Sequence, residues 1–196
     1  MSPIISGGSG GGGGIGSTIL IYRYTVTGAD KTSIDTGVDT ADAGSNDWTA
    51  ANLLEVWLYS RTDEAAVVSQ VNLTFNNDTG ANQYVYARVR ETAAAVTGAD
   101  FNANTNIGLF CAGASATANV FSATRMSVPN YTGTTGHKGF EVEEGQGSTT
   151  SGQNDLTLFT GTYRSASALT RLAVAPNTGG SKLKVGTQLL IYKRAA

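Results

Sequence analysis

The side chains that most often perform catalysis are scarce in this chain. His137, in the segment TTGHKGF, is the only histidine and Cys111 the only cysteine among 196 residues. A serine–histidine–aspartate triad would have to use His137 as its base, and no GxSxG sequence accompanies it. A zinc site needs three or four histidine, cysteine or carboxylate ligands, which this supply argues against. We therefore expect a structural histidine, a buried unreactive thiol, no cofactor and no enzymatic activity.

Carboxylates offer two further chemistries. Glu141 and Glu143 lie on one face of the predicted strand GFEVEE, with Glu144 next to them, so that a glycosidase pair is one interpretation and a solvated strand face the commoner one. Two loops rich in Asp and Asn are candidates for calcium, but neither has EF-hand spacing, and Asn, Asp and Gly form turns without a metal. Their oxygen-bearing residues are Asn76, Asn77 and Asp78 in one loop and Asp35, Asp39, Asp42 and Asp47 in the other. We predict no metal site.

The first sixteen residues, MSPIISGGSGGGGGIG, are dominated by glycine. GGGGIGST at 11–18 nearly fits a P-loop, but Ser17 replaces the lysine and the segment precedes a predicted strand instead of following one. Because glycine has no side chain to bury and loses the most backbone entropy on ordering, we predict an extended arm at 1–17 and a single folded domain at 18–196. The arm is predicted to dock on a partner through its backbone and a few apolar anchors: Pro3, Ile4, Ile5, Gly7, Gly8, Gly10, Gly11, Gly12, Gly13, Gly14, Ile15 and Gly16.

Composition excludes several classes of partner. The net charge is −2 and the 13 Lys and Arg residues are scattered, whereas a nucleic-acid surface needs them clustered. The start lacks the charged and apolar regions of a secretory signal, and no apolar run is long enough to span a membrane, so we expect neither export nor a membrane partner. Only 14% of residues are charged, which suits a surface that contacts other proteins.

Apolar and polar residues alternate in short runs separated by turn residues, the pattern of half-buried strands. Leu54, Val56 and Leu58 share one predicted face in NLLEVWLYSR, and VNLTFNN alternates in the same way. We count about ten or eleven strands, with VTGAD at 96–100 read as a turn, and no helical periodicity beyond two turns. The sequence therefore predicts an all-β fold with antiparallel sheets, arranged as a sandwich or a barrel.

Aromatic and basic residues coincide on two of these strands. The set forms a candidate interface or glycan surface: Trp57, Tyr59, Tyr84, Tyr86, Arg88 and Arg90. Arg61 is expected to share the face of the first two. Aromatic rings beside hydrogen-bonding groups suit a carbohydrate, but the same residues are typical of packing in a core or at a subunit interface. We favour the interface.

Blocks of strand and turn sequence in a fixed order resemble a group of tailed-bacteriophage structural proteins. The blocks cover most of residues 26–193: TGADKTSIDTG, LTFNNDTGANQYVYARVR, FSATRMSVPNYTGTTGHKGFE, TGTYRSASALTRLAVAP and GSKLKVGTQLLIYK. The group comprises decoration, minor tail and fibre proteins. The resemblance implies an antiparallel two-sheet, jelly-roll-like β-sandwich on the outer surface of a virion, made in the host cytoplasm. It brings no catalytic residues.

Two functions follow as predictions. The first is an outer capsid decoration (cement) protein, expected to be a trimer, whose arm runs along a neighbouring virion protein and stabilises the particle. The second is a tail-fibre or tail-tip module that binds carbohydrate on the host surface. The predicted partners are thus capsid or tail subunits, further copies of the chain, or a host glycan.

Overall fold

The computed structural model describes residues 17–49, 51–92, 95–146 and 155–194, and within those ranges it contains twelve β-strands and no helix. The strands are β1 (Thr18–Thr25), β2 (Ile34–Asp35), β3 (Leu53–Ser60), β4 (Val68–Phe75), β5 (Tyr84–Thr92), β6 (Ala95–Asn104), β7 (Ile107–Ala112), β8 (Ser122–Pro129), β9 (Lys138–Gln146), β10 (Asp155–Tyr163), β11 (Leu172–Pro176) and β12 (Gln188–Arg194). The predicted all-β fold is confirmed.

The strands form two antiparallel sheets with jelly-roll connectivity. The eight-stranded sheet has the order β1-β12-β3-β8-β9-β10-β5-β6 and the four-stranded sheet the order β2-β11-β4-β7. The quartets β1-β12-β3-β8 and β2-β11-β4-β7 have the strand orders of the two sheets of a jelly roll, in which β4 and β7 are neighbours in one sheet. Two inserted pairs, β5–β6 and β9–β10, extend the larger sheet beyond β8. The predicted jelly-roll-like sandwich is therefore present, with an added four-stranded wing.

The core lies between the sheets and follows the predicted alternation. Leu54, Val56 and Leu58 of β3 are buried in the same hydrophobic cluster as Leu73 and Phe75 of β4, which are fully enclosed. This alternation arises because successive strand side chains point to opposite faces of a sheet. The inward and outward faces of β3 and β4 thus follow from the period-two pattern that the sequence displays, whereas the twelve strands exceed the ten or eleven predicted.

Aromatic packing joins the wing to the jelly roll. The rings of Tyr84 and Tyr163 stack with centroids 5.1 Å apart, and Phe75 packs edge-on to Tyr163 at 5.5 Å and to Phe140 at 6.3 Å. Such pairs contribute roughly 0.5–1.5 kcal/mol each beyond their burial. The wing is therefore held to the jelly roll by a shared core.

The interpretation of VTGAD at 96–100 as a turn is wrong. The same five letters do form a loop at 26–30, where Gly28 has a φ of 72°. At 96–100 they lie inside β6 and pair residue by residue with β5, from Arg90↔Thr97 to Ala87↔Asp100. Strand propensity is weak and depends on context, so pairing with β5 overrides the turn preference of Gly98 and Asp100.

Candidate functional site

The outer face of the eight-stranded sheet, turned away from the smaller sheet, carries most of the exposed apolar bulk. Of eight large hydrophobic residues that stay exposed in the described part of the chain, five lie on it: Tyr59, Val89, Val96, Leu156 and Leu158. Leu158 pairs directly with Val89 across β10 and β5, and Val96 lies one strand further on. Neighbouring exposed apolar side chains make this face the candidate interaction surface.

Strand β10 has its apolar pattern inverted relative to the usual arrangement. Leu156 and Leu158 are 48% and 50% exposed, whereas Asp155 and Thr157 are buried. The register explains this, because Phe159 pairs with core residue Val142 of β9 and fixes which set of alternate residues faces inward. Sequence reasoning missed the two leucines; the only available signal was their position out of step with Phe159.

A groove of about 720 Å³ runs over the outer face of the wing. Its floor includes Ala87, Val89 and Leu158, and its sides include Asp100, Glu141 and Glu143. Glu141 and Glu143 thus share the predicted outer face and are exposed. Arg125, one strand away on β8, approaches Glu143 at 3.8 Å. The groove therefore combines an apolar floor with a negative rim.

A second, smaller cleft of about 310 Å³ lies over the jelly-roll part of the same face. Trp57 and Tyr59, both predicted site residues, line it together with Tyr192 and Glu55. The Arg125 guanidinium lies 5.5 Å from the Trp57 ring centre and donates to Glu55 at 2.8 Å. Aromatic rings beside a fixed ion pair give this cleft both stacking and hydrogen-bonding groups.

Arg61 does not join Trp57 and Tyr59, contrary to expectation. Its guanidinium is buried and donates to four backbone carbonyls, those of Ala114, Ala116, Thr117 and Val120, at 2.7–3.1 Å. These bonds shape the connection between β7 and β8. The residue is structural because its hydrogen-bonding capacity is used within the chain.

Tyr84, Tyr86, Arg88 and Arg90 share a face, as predicted, but that face points inward. The Tyr84 hydroxyl accepts the Phe75 N–H at 2.8 Å, and burial raises the pKa of the phenol. Tyr86 is also buried. The core alternative therefore holds for both tyrosines, and neither presents a surface to a glycan.

The two arginines enclose a buried carboxyl group. Their guanidinium carbons lie 4.5 Å (Arg88) and 4.0 Å (Arg90) from the Phe110 ring centre, and Arg90 donates to Asp155 at 2.8 Å. Glu144, beside them, accepts the Phe110 N–H at 3.1 Å. Burial raises the pKa of Glu144 to about 8, against the lowering effects of that N–H and both arginines.

Glu144 has the raised pKa of a general acid but no access to substrate. Both it and Asp155 are buried, and its second carboxylate oxygen is shielded from solvent. The Glu144 carboxylate accepts a backbone hydrogen bond from β7, the edge strand of the smaller sheet. Its role is therefore to join the two sheets.

The remaining predicted chemistry-bearing residues lie apart. His137 is exposed in the loop before β9, and Cys111 is buried with the pKa of its thiol raised to about 12 by desolvation, so the predicted enclosed thiol is confirmed. Three aspartates of the calcium candidates bind cations of the chain itself: Asp35, in β2, with Arg171, Asp39 with Lys31 and Asp47 with Lys193. Within the described ranges no three potential metal ligands cluster.

The loop asparagines adopt the turn conformations that their sequence suggests. Asn76 and Asn77 have φ values of 51° and 57°, in the left-handed region that Asn tolerates best after Gly. The Asn76 side chain also donates to Ala168 and accepts from Thr170, both at 2.9 Å.

The predicted docking arm at 1–17, with its anchor residues from Pro3 to Gly16, lies outside the described residues apart from Ser17.

No protein-family model matches the chain, and no curated protein or solved structure shows significant similarity to it. None of the described segments forms an apolar helix of the length that crosses a membrane. The resemblance to phage structural proteins stays a prediction, and the outer face is the feature from which function can be argued.

Proposed function

We propose that the chain is a non-enzymatic structural protein of a tailed-phage virion, a decoration protein that docks on the outer capsid through the outer face of its larger sheet. The observation that carries this proposal is the row of exposed apolar side chains on β10, β5 and β6 beside the groove. The jelly-roll strand order and the order of the sequence blocks support the virion assignment.

The proposed docking is strong only when many contacts act together. Burying a leucine fully contributes roughly 1.5–3 kcal/mol, so Leu156 and Leu158, about half exposed, would add roughly 1 kcal/mol each. Association also loses translational and rotational freedom, which such a patch offsets only in part. We therefore assign the arm at 1–17 a second contact on the neighbouring virion protein, and the trimer a third source of binding energy.

The aromatic cleft favours a second candidate, a tail-fibre or tail-tip module that binds host carbohydrate. Trp57, Tyr59 and Tyr192 supply ring faces, and Glu55 with Arg125 supplies hydrogen-bonding groups. In this case the apolar groove on the wing would contact the tail.

Two measurements test the proposal: the number of copies per particle, and the incorporation of a variant substituted on the outer face. Quantitative mass spectrometry of purified particles should find hundreds of copies for a decoration protein, since each symmetry-related shell position carries one. Leu158→Glu should abolish incorporation, whereas the matched control Val185→Glu, 45% exposed but outside the sheet, should not. A few copies per particle would favour the fibre function, and normal incorporation of Leu158→Glu would refute docking through the outer face.

A further inference from the structure

The chain protects one edge of its larger sheet with a loop. On β1, the Arg23 N–H donates to Ala43 O at 2.8 Å, and Ile21 O accepts the Asn46 N–H at 2.6 Å. The loop therefore occupies backbone groups that would otherwise be free to pair with another strand.

Both edges of the smaller sheet are covered as well. The N–H of Asp35 in β2 donates to the Asp39 carboxylate at 2.8 Å. On β7, the Gly108 N–H donates to the Tyr86 hydroxyl at 3.3 Å and the Phe110 N–H to Glu144 at 3.1 Å. Side chains thus cap the outward-pointing amides at these two edges.

The fourth edge, β6, has no such cover. It runs for ten residues, pairs with β5 on one side, and leaves eight residues exposed. Among the described residues, no segment other than β5 donates to or accepts from its backbone. Its sequence, AVTGADFNAN, contains neither the lysine nor the proline that commonly blocks an edge strand, and Asp100 is its only ionisable residue.

We propose that the free edge of β6 accepts an extended segment of another protein, which adds as a ninth strand and sets a basic side chain against Asp100. Backbone hydrogen bonds would supply affinity and alternate side chains specificity. On the outer side the added strand would lie beside Val96 and Asp100, four residues apart, so the fitting pattern has an apolar and a basic residue at that spacing. This inference does not depend on the virion assignment.

Charge decides which strand fits. On the outer face of β9, β10, β5 and β6 every ionisable residue is acidic: Glu91, Asp100, Glu141 and Glu143. A second copy of β6 would bring only further carboxylates to this edge, and like charges facing each other across strands are unfavourable. A segment with lysine or arginine on its outer side is complementary to it.

A labelled, end-blocked peptide of sequence TKTVTVT probes the edge, with TETVTVT as its matched control. The peptide can add parallel or antiparallel to β6. In the antiparallel orientation its lysine faces Asp100 while a valine faces Val96. Because a cross-strand charge pair contributes up to about 1 kcal/mol, fluorescence anisotropy should show the lysine peptide binding the full chain about five-fold more tightly than the glutamate peptide. In Asp100→Lys, an exposed substitution, the preference should reverse.

Hydrogen exchange locates the contact. The lysine peptide should slow exchange in the segment 95–104 and leave β1, the covered edge, unchanged. The proposal is overturned if the peptide does not bind, if Asp100→Lys leaves the preference unaltered, or if protection falls elsewhere. It is equally overturned if 95–104 becomes protected in the chain alone as its concentration rises, because a second copy would then be the occupant.

Discussion

Replacing Glu144 by glutamine should remove a pH-dependent loss of stability. A carboxyl group in an unfolded chain has a pKa of about 4.3. In the folded protein burial raises the pKa of Glu144 to about 8, with Asp155 raising it further and Arg88 and Arg90 lowering it. Between these two values the folded state holds a proton that the unfolded state has released, so raising the pH favours unfolding.

The size of the effect follows from the pH range between these two pKa values. Within it, each pH unit lowers the free energy of unfolding by about 1.4 kcal/mol, so the wild-type chain should lose about 3 kcal/mol through Glu144 between pH 5.5 and 7.5. The contribution is fully present below about pH 4.3 and disappears as the pH rises through the folded pKa. Glutamine keeps an oxygen that can accept the Phe110 N–H, but it does not ionise.

Urea unfolding at several pH values measures this effect. With a slope near 2 kcal/mol per molar, the gap between the wild-type and Glu144→Gln midpoints should change by about 1.5 M between pH 5.5 and 7.5. Glu143→Gln, the exposed neighbour on the outer face, is the control and should track the wild type. If Glu144→Gln and wild type show parallel pH profiles, the buried carboxyl is not protonated and the reasoning fails.

Three other predictions concern positions away from the outer face. Arg61→Met should lower the free energy of unfolding by about 3 kcal/mol in urea at pH 7, since four backbone carbonyls lose a charged donor. Gly44→Ala should lower the melting temperature, because its φ is 109° and a Cβ would collide with a backbone carbonyl of β1; Gly136→Ala, in open space, should not. Cys111 should resist a maleimide at pH 8 until urea unfolds the chain.

The sequence predicts those features of the fold that depend on residues close together in the chain, and fails for those that depend on distant strands. Alternation placed Leu54, Val56 and Leu58 on one buried face because that property is local. It also paired Tyr84 with Arg88 on one face, but which side turns inward depends on β10 and β7, which are distant in sequence. The jelly-roll character of the sandwich was expected from the resemblance, and the order of strands in the sheets was not predicted, since periodicity alone carries no pairing information.

Some features of the candidate site left a trace in the sequence. Phe140, Val142 and Glu144 alternate on one face of β9, so an acidic residue at a core position was a readable sign of a buried carboxyl. The exposed leucines of β10 left no equivalent sign, because DLTLF is compatible with either face until Phe159 pairs with Val142. Register set by distant strands decides such cases.

The two faces of the wing have different roles, so mutations on the two faces should have different effects. Its inner face caps β7 through Tyr86 and Glu144, so changes there alter stability first. Its outer face holds Leu158 and the acidic rim, whose side chains are exposed, so changes there should spare stability. A variant that no longer docks but keeps the wild-type urea midpoint therefore identifies an interface residue. A variant that no longer docks and also unfolds at lower urea shows only that the contact between the two sheets is weakened.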